Sequence, residues 1–148
     1  MATNPAKCRM RIEMNRVGDG YQMEAVNPAG NVVVMDNPGE AQQAGASPME
    51  LLLMGVAGCS SIDIIAILEK QSKVIDNLRV TVDAERDRSQ TPSMFSSMQV
   101  NYCVEGKLLP TKVKQAVKLS MQRYCTVAAI LEKSVEIEHA ICLNGEWL

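Results

Sequence analysis

Two cysteines lie beside apolar segments whose patterns are typical of helices. Cys59 follows the apolar residues 51–58, and Cys125 directly precedes a second apolar run, residues 126–131. The chain has one histidine, so nucleophilic or redox chemistry must proceed with few imidazole bases, and cysteine is well suited to it. Free cysteine is also a common packing residue. The two thiols are therefore the candidates for chemistry, and simple burial is the alternative.

The predicted surroundings of the two thiols differ. Cys125 begins a helix, where unpaired backbone N–H groups and the helix dipole favour a thiolate, so local electrostatics make it the easier of the two to ionise. Cys59 lies inside a helix that is apolar on nearly every face, and burial there disfavours the thiolate unless a cation or another donor is close. If the two helices meet, one thiolate attacks a peroxide and the other resolves the sulfenic acid as a disulfide.

Other reactive side chains have simpler interpretations. Asp63 follows Cys59 by four residues, on the same helical face, and is either a site residue or a hydrogen-bonded packing group. Arg123 adds positive potential near Cys125 or complements the end of a helix. His139 lies in a predicted strand without partners at metal-ligand spacing. The remaining cysteines are assigned to packed or exposed positions in strands: Cys8, Cys103 and Cys142.

Composition limits the class of protein. The 148 residues fit one domain, residues 1–148, with an apolar fraction of 47% and a net charge of -2, which excludes a basic surface for nucleic acid. Five cysteines without C-x-x-C spacing predict neither a disulfide scaffold nor a zinc site, and no metal or organic cofactor is expected. The polar amino terminus does not resemble a signal peptide, and we expect a cytoplasmic protein. Ser60, Ser61 and Asp63 interrupt the long apolar segment, which predicts a buried helix rather than a membrane span.

The hydrophobic pattern predicts an α+β domain with the order β-β-β-α-β-β-α-α-β. A strand meander is expected over 7–15, 21–26 and 32–35. The next helix begins with the cap Ser47 and runs to about Gln71, surrounded by protein on all sides, and a second subunit would help to bury it. The later elements are expected as strands over 78–86 and 94–105, helices over 110–124 and 126–133, and a strand over 135–142.

Two stretches of this pattern resemble a known family. They are Ser47-Pro48-Met49-Glu50-Leu51-Leu52 through Gly58-Cys59, and Tyr124-Cys125-Thr126-Val127. They resemble the osmotically inducible protein C (OsmC) and organic hydroperoxide resistance (Ohr) proteins. The resemblance implies an intertwined homodimer in which antiparallel sheets wrap two long central helices. It also implies reduction of organic hydroperoxides, with Cys59 peroxidatic, Cys125 resolving and a dithiol as reductant.

Two family features are displaced in this chain. Active members hold the peroxidatic thiolate with an arginine that a glutamate orients. The usual glutamate position, ten residues before the first cysteine, is Met49 here, and the nearest carboxylate is Glu50, which a capping box also explains. No arginine occurs between Arg16 and Arg79, so Arg16 is the local candidate for the arginine. The chain is therefore expected to belong to a divergent subgroup.

Three functions stay open at the level of sequence. The first is a cytoplasmic homodimeric thiol peroxidase that acts in oxidative stress defence. The second is a non-catalytic dimer that binds a small apolar ligand or thiol compound in the interface pocket. The third is a structural or interaction dimer with inert thiols. Oxidation of Cys59 by a hydroperoxide separates the first function from the other two.

Overall fold

The computed structural model describes residues 6–148, so the first five residues of the polar amino terminus lie outside the described part. These residues divide into two compact units, with the boundary between Leu51 and Leu52. The first unit contains a three-stranded sheet and the first turn of a long helix. The second contains the rest of that helix, a four-stranded sheet and two shorter helices. The mixed α+β class and the central helix agree with the sequence prediction.

The three-stranded sheet of the first unit is an antiparallel meander, as predicted. Its strands are β1 (Glu13–Arg16), β2 (Met23–Val26) and β3 (Val32–Met35), in the order β1-β2-β3. Gly30 adopts a φ of 86° in the turn between β2 and β3, and its N–H donates to the Asn27 carbonyl at 3.0 Å. A side chain at that backbone conformation would be strained, which explains the glycine in the turn.

The first strand is shorter than predicted. Alternation indicated a strand over 7–15, but residues 7–12 do not pair with another strand, and β1 begins at Glu13. The reason lies in its partner: Glu13 pairs with Val26, the last residue of β2, and the turn with Pro28 follows directly. Proline has no N–H to donate, so the ladder ends there whatever the pattern on the other strand.

The long helix α1 (Pro48–Lys70) begins where the sequence predicts. The Ser47 N–H donates to Glu50 Oε2 at 2.7 Å, and the Glu50 N–H donates to Ser47 Oγ at 3.3 Å. This reciprocal pair is a capping box, and it satisfies two of the N–H groups that a helix start leaves unpaired.

Within the single chain one side of α1 is buried and the other is open, so burial on all sides, which would require the second subunit expected from the sequence, stays a prediction. Side chains at every fourth position are fully buried: Val56, Ser60, Ile64 and Leu68. Met54 and Ile62 are 55% and 70% exposed. By length and composition α1 is apolar enough to cross a membrane, but core helices pass the same test, and its buried stripe belongs to the protein core.

The four-stranded sheet of the second unit has the order β4-β5-β6-β7. Its strands are β4 (Asn77–Arg86), β5 (Phe95–Glu105), β6 (Ile137–Leu143) and β7 (Glu146–Trp147). One pair, β5 and β6, is parallel, because the chain between them crosses over through helices. The sequence prediction missed β7, although Asn144-Gly145 before it is a strong hairpin signal: both residues have positive φ, as a tight hairpin turn requires.

Helices α2 (Pro110–Leu119) and α3 (Thr126–Leu131) form the crossover. The predicted helix over 110–124 is α-helical only as far as Leu119, and residues Ser120–Tyr124 form a π-helical turn. The third helix ends two residues earlier than predicted. The core of this unit combines the buried stripe of α1, one face of β5 and the inward faces of α2 and α3, including Val100, Val113 and Val117.

Candidate functional site

The structure brings Cys59 and Cys125 together. Cys59 lies in the fourth turn of α1, and Cys125 lies directly before α3. Both are free thiols, and Cys59 is half-buried whereas Cys125 is only 2% exposed. Their sulfur atoms and one carboxylate oxygen of Asp63 all lie within 4.8 Å of one another. The pair is therefore close enough for chemistry that uses both sulfur atoms.

The π-helical turn determines where Cys125 lies. Its backbone N–H donates to the Ser120 carbonyl at 2.8 Å, which closes the wide turn. Cys125 then serves as the cap of α3, with its Sγ accepting the Ala128 N–H at 3.4 Å. π-helical turns are frequent at functional sites because they displace a side chain from its regular helical position.

Burial affects the pKa of Cys125 more strongly than the helix start does. The thiol has its pKa raised to about 11, mainly by burial, and the neighbouring Cys59 thiol and Asp63 carboxylate raise it further. The Ala128 N–H lowers that pKa, but by less. The helix start alone made Cys125 the easier of the two thiols to ionise, but desolvation and the neighbouring carboxylate, which that local pattern omits, both raise the pKa of Cys125. At neutral pH Cys125 is a protonated thiol.

Asp63 lies beside the thiol pair and is also a hydrogen-bonded packing group. It lies one helical turn after Cys59, within reach of both thiols. Its Oδ2 also accepts a hydrogen bond from the fully buried Ser120 hydroxyl at 3.1 Å. A hydrogen-bonded partner fixes the direction of a carboxylate, so Asp63 is held toward the thiols rather than free to turn away.

A buried hydroxyl network lies beside the thiols and was not predicted. The Tyr102 hydroxyl donates to Ser60 Oγ at 2.8 Å and also lies 3.0 Å from Met121 Sδ. Ser60 Oγ in turn donates to the Val56 carbonyl at 2.7 Å. Burial is the main reason that the pKa of Tyr102 is raised to about 12. The signal for this network in the sequence was Tyr102 itself, a side chain with a hydroxyl group between Val100 and Val104 on the core-facing side of β5.

Glu50 and Arg16, the two displaced family candidates, both have local structural partners. Glu50 belongs to the capping box, and the Ser47 backbone N–H holds the pKa of its carboxyl below the ordinary value. Arg16 Nε donates to the Gly20 carbonyl at 2.9 Å, and its Nη2 donates to the Asp19 carbonyl. These contacts explain both residues without a catalytic role, and such a role stays a prediction.

The other reactive side chains lie elsewhere. Cys8 is exposed, as is His139 on β6. The Arg123 guanidinium lies 5.6 Å from the centre of the neighbouring Tyr124 ring, which gives it a cation–π partner.

Cys103 and Cys142 form a second thiol pair that sequence spacing did not reveal. They are directly opposite each other in the β5–β6 register. The pKa of Cys103 is raised, mainly by burial and then by the Cys142 thiol. Because they lie on the sheet face away from the buried residues of β5, they provide an internal control for chemistry at the first pair.

A groove opens beside Asp63 between α1 and the end of α2. It has a volume of about 350 Å³, and Asp63, Lys70 and Gln71 provide its polar lining. Its apolar walls come from Ala66, Ile67, Leu119 and Tyr124. A concave apolar site with a few polar groups is the usual form of a small-molecule site.

Comparisons with known proteins agree with this fold and place the chain among relatives. The sequence model of the family described as "OsmC-like protein" matches residues 39–140 of this chain. Protein YhfA of Escherichia coli (strain K12) is 35% identical over 123 residues, 82% of this chain and 90% of that protein. An OsmC-like protein from Mycoplasma pneumoniae superposes with a TM-score of 0.79 at 18% identity, over 92% of this chain and 97% of that one.

An organic hydroperoxide resistance protein from Elizabethkingia anophelis has the same fold, with a TM-score of 0.73 at 12% identity, over 95% of this chain and all of the other (100%). At such identities the superpositions show a shared fold. The family match covers more than half of the chain, and the YhfA match covers most of it. The chain therefore belongs to the OsmC/Ohr family.

Proposed function

We propose that this chain is a thiol-dependent peroxidase that reduces organic hydroperoxides through Cys59 and Cys125, in defence against oxidative stress. The observation that supports the proposal is the approach of the two sulfur atoms to within 4.8 Å of each other, although the cysteines are far apart in sequence. Membership of the OsmC/Ohr family supports a peroxide-related redox role for such a pair.

In the first step the Cys59 thiolate attacks the terminal oxygen of the hydroperoxide. The O–O bond breaks, the sulfur becomes a sulfenic acid, and the alkoxide leaves as the alcohol after it takes a proton. Cys59 suits this role because it is only half-buried, so a substrate can approach it, whereas Cys125 is almost completely covered.

In the second step Cys125 resolves the sulfenic acid. Its sulfur attacks Cys59 Sγ, the S–O bond breaks, water leaves and a disulfide forms. The sulfur atoms must then approach from their present separation to about 2.05 Å. A dithiol reductant regenerates both thiols by thiol–disulfide exchange. Because the thiolate is the attacking form, Cys125 must give up its proton in this step, and the proton leaves with the hydroxyl group of the sulfenic acid as water. Its raised pKa makes this proton loss the demanding part of the resolving step.

A second candidate function is non-catalytic binding of a small apolar ligand or thiol compound. Two observations favour it: the carboxylate of Asp63 lies beside the thiols, where a peroxidase needs a cation, and the groove next to Asp63 has apolar walls. In that case the groove binds its ligand saturably, and a hydroperoxide is not consumed.

The family resemblance further supports a homodimeric, cytoplasmic protein in which the whole chain acts as one OsmC-like domain. The exposed apolar side chains of α1, Met54 and Ile62 among them, are the surface that a second copy would cover. Burial of such side chains removes apolar area from water, which is the main driving force for association.

The test is to treat the reduced protein with cumene hydroperoxide and to map every cysteine by mass spectrometry, with hydrogen peroxide as the comparison. We expect a Cys59–Cys125 disulfide in the parent and a trapped Cys59 sulfenic acid in Cys125→Ser. Cys59→Ser should lose peroxide consumption while remaining folded. The double variant Cys103→Ser/Cys142→Ser is the matched control and should retain it. Full consumption in Cys59→Ser would refute the proposal.

A further inference from the structure

We propose that the reduced Cys59–Asp63–Cys125 cluster is a zinc-binding site, and that zinc and the disulfide are alternative occupants of the same two sulfur atoms. Sequence spacing does not reveal this site, because its third ligand, Cys125, lies directly before α3, far from the first two along the chain. The structure places two sulfur ligands and one carboxylate oxygen within 4.8 Å of one another.

The geometry suits a small tetrahedral cation. Zinc binds thiolate sulfur at about 2.3 Å and carboxylate oxygen at about 2.0–2.2 Å. Ligand atoms on a tetrahedron of that size lie slightly under 4 Å apart, so the present spacing needs only a small contraction to hold the ion. Three protein ligands leave a fourth position for water or an exogenous thiol, as in open zinc sites.

The charges also favour a cation. Ionisation of both thiols beside the Asp63 carboxylate would place three negative charges in a largely buried cluster, which is costly unless a cation compensates. When zinc binds, the two thiols release two protons, and the cluster becomes two thiolates, one carboxylate and one divalent ion, with a net charge of -1. Thiolate ligands select zinc over magnesium or calcium, which prefer oxygen.

Neighbouring hydrogen bonds already orient two of the three ligands. Ser120 Oγ donates to Asp63 Oδ2 at 3.1 Å, and the Ala128 N–H donates to Cys125 Sγ at 3.4 Å. Outer partners of this kind hold ligands in the direction of a metal and change its affinity by about 10- to 100-fold. Asp63 thereby has a purpose that peroxide reduction leaves unexplained, since an anion beside a nucleophilic thiol opposes its ionisation.

The proposal is independent of the peroxidase activity and is tested without peroxide. Cobalt(II) is added to the reduced, metal-free protein, and thiolate-to-cobalt charge transfer and the visible bands of tetrahedral cobalt are recorded; zinc is then titrated against the cobalt. We expect one equivalent of cobalt to bind with both signatures and with release of two protons, and zinc then to displace the cobalt without further proton release.

Variants locate the ion. Asp63→Asn keeps an oxygen that can accept the Ser120 hydrogen bond and should weaken zinc binding by at least about tenfold. Cys59→Ser and Cys125→Ser should each remove most of the charge-transfer intensity. Cys103→Ser/Cys142→Ser should leave the spectrum unchanged, and circular dichroism verifies that each variant is folded.

Absence of the charge-transfer band in the folded parent would overturn the proposal. So would a band that survives in folded Cys59→Ser or disappears in Cys103→Ser/Cys142→Ser, since the ion would then lie elsewhere. A separate experiment tests whether zinc and the disulfide exclude each other. Zinc-loaded protein should resist formation of the Cys59–Cys125 disulfide, and oxidised protein should bind no cobalt. Loss of peroxide consumption with intact cobalt binding would refute only the peroxidase.

Discussion

The hydroxyl of Tyr102 on β5 donates a 2.8 Å hydrogen bond to Oγ of Ser60 on α1, the residue directly after Cys59. Both side chains are fully buried. The bond links the sheet to the helix at the level of the thiol pair, so it fixes the position of α1 relative to β5 next to the Cys59 sulfur.

Tyr102→Phe removes this bond while keeping the ring. A buried hydrogen bond contributes about 1 kcal/mol to the free energy of unfolding, so we expect a loss of about 0.5–1.5 kcal/mol in urea denaturation. Tyr124→Phe is the matched control, because Tyr124 is 49% exposed, and it should change stability little. Equal stability of the parent and Tyr102→Phe would show that the bond makes no net contribution.

The raised pKa of Cys125 predicts a pH dependence. Its thiol ionises near 11 in the folded protein against an ordinary value of 9.0, so the unfolded chain loses this proton first as the pH rises. The corresponding part of the stability is present below about pH 9 and is lost between 9 and 11. Denaturation across that range should show a steeper loss in the parent than in Cys125→Ala, whereas parallel curves would contradict the shift.

Alkylation rates give a second measurement of the same thiol. Iodoacetamide reacts with thiolates. In the folded parent it should therefore modify Cys125 slowly at neutral pH and faster only as the pH approaches 11. Peptide mapping reports each cysteine separately, and the exposed Cys8 is the internal reference. Rapid modification of Cys125 at neutral pH in the folded protein would show that it is a thiolate there.

Substitutions at Glu50 separate its structural role from a catalytic one. Glutamine retains an oxygen that can accept the Ser47 N–H, so Glu50→Gln should keep the capping box, whereas Glu50→Ala should destabilise the helix start. If the role is only structural, Glu50→Gln retains peroxide consumption along with its thermal unfolding temperature. Parent-like stability with lost consumption would instead assign Glu50 to catalysis.

The exposed face of α1 predicts self-association. Ile62→Glu places a charge on a side chain that is 70% exposed in the isolated chain, and burial of that charge in a dimer is unfavourable. Sedimentation velocity should therefore show a shift from dimer to monomer. Gln115→Glu adds the same charge to an exposed position of α2 and should leave the dimer intact. A parent that sediments as a monomer would exclude the homodimer.

Much of the fold followed from local patterns. The start of α1 was predicted to the residue, since a serine cap, Pro48 and Glu50 satisfy local N–H groups regardless of what surrounds the helix. Strands β4 and β5 were located within one residue, because alternation of buried and exposed side chains is itself a local property. The predicted length of the first strand was wrong for the opposite reason: the length of a strand depends on its partner, and β2 ends at Val26.

The sequence by itself identified two cysteines as the candidates for chemistry and placed them in the segments that resemble the OsmC/Ohr family, Cys59 inside a long helix and Cys125 at the start of a short one. Only the tertiary structure decided their surroundings. The π-helical turn places Cys125 beside Cys59 and Asp63, and burial raises the pKa of Cys125 against the effect of its helix start. Desolvation and contacts between distant segments depend on all the groups packed around an atom, which no local pattern specifies.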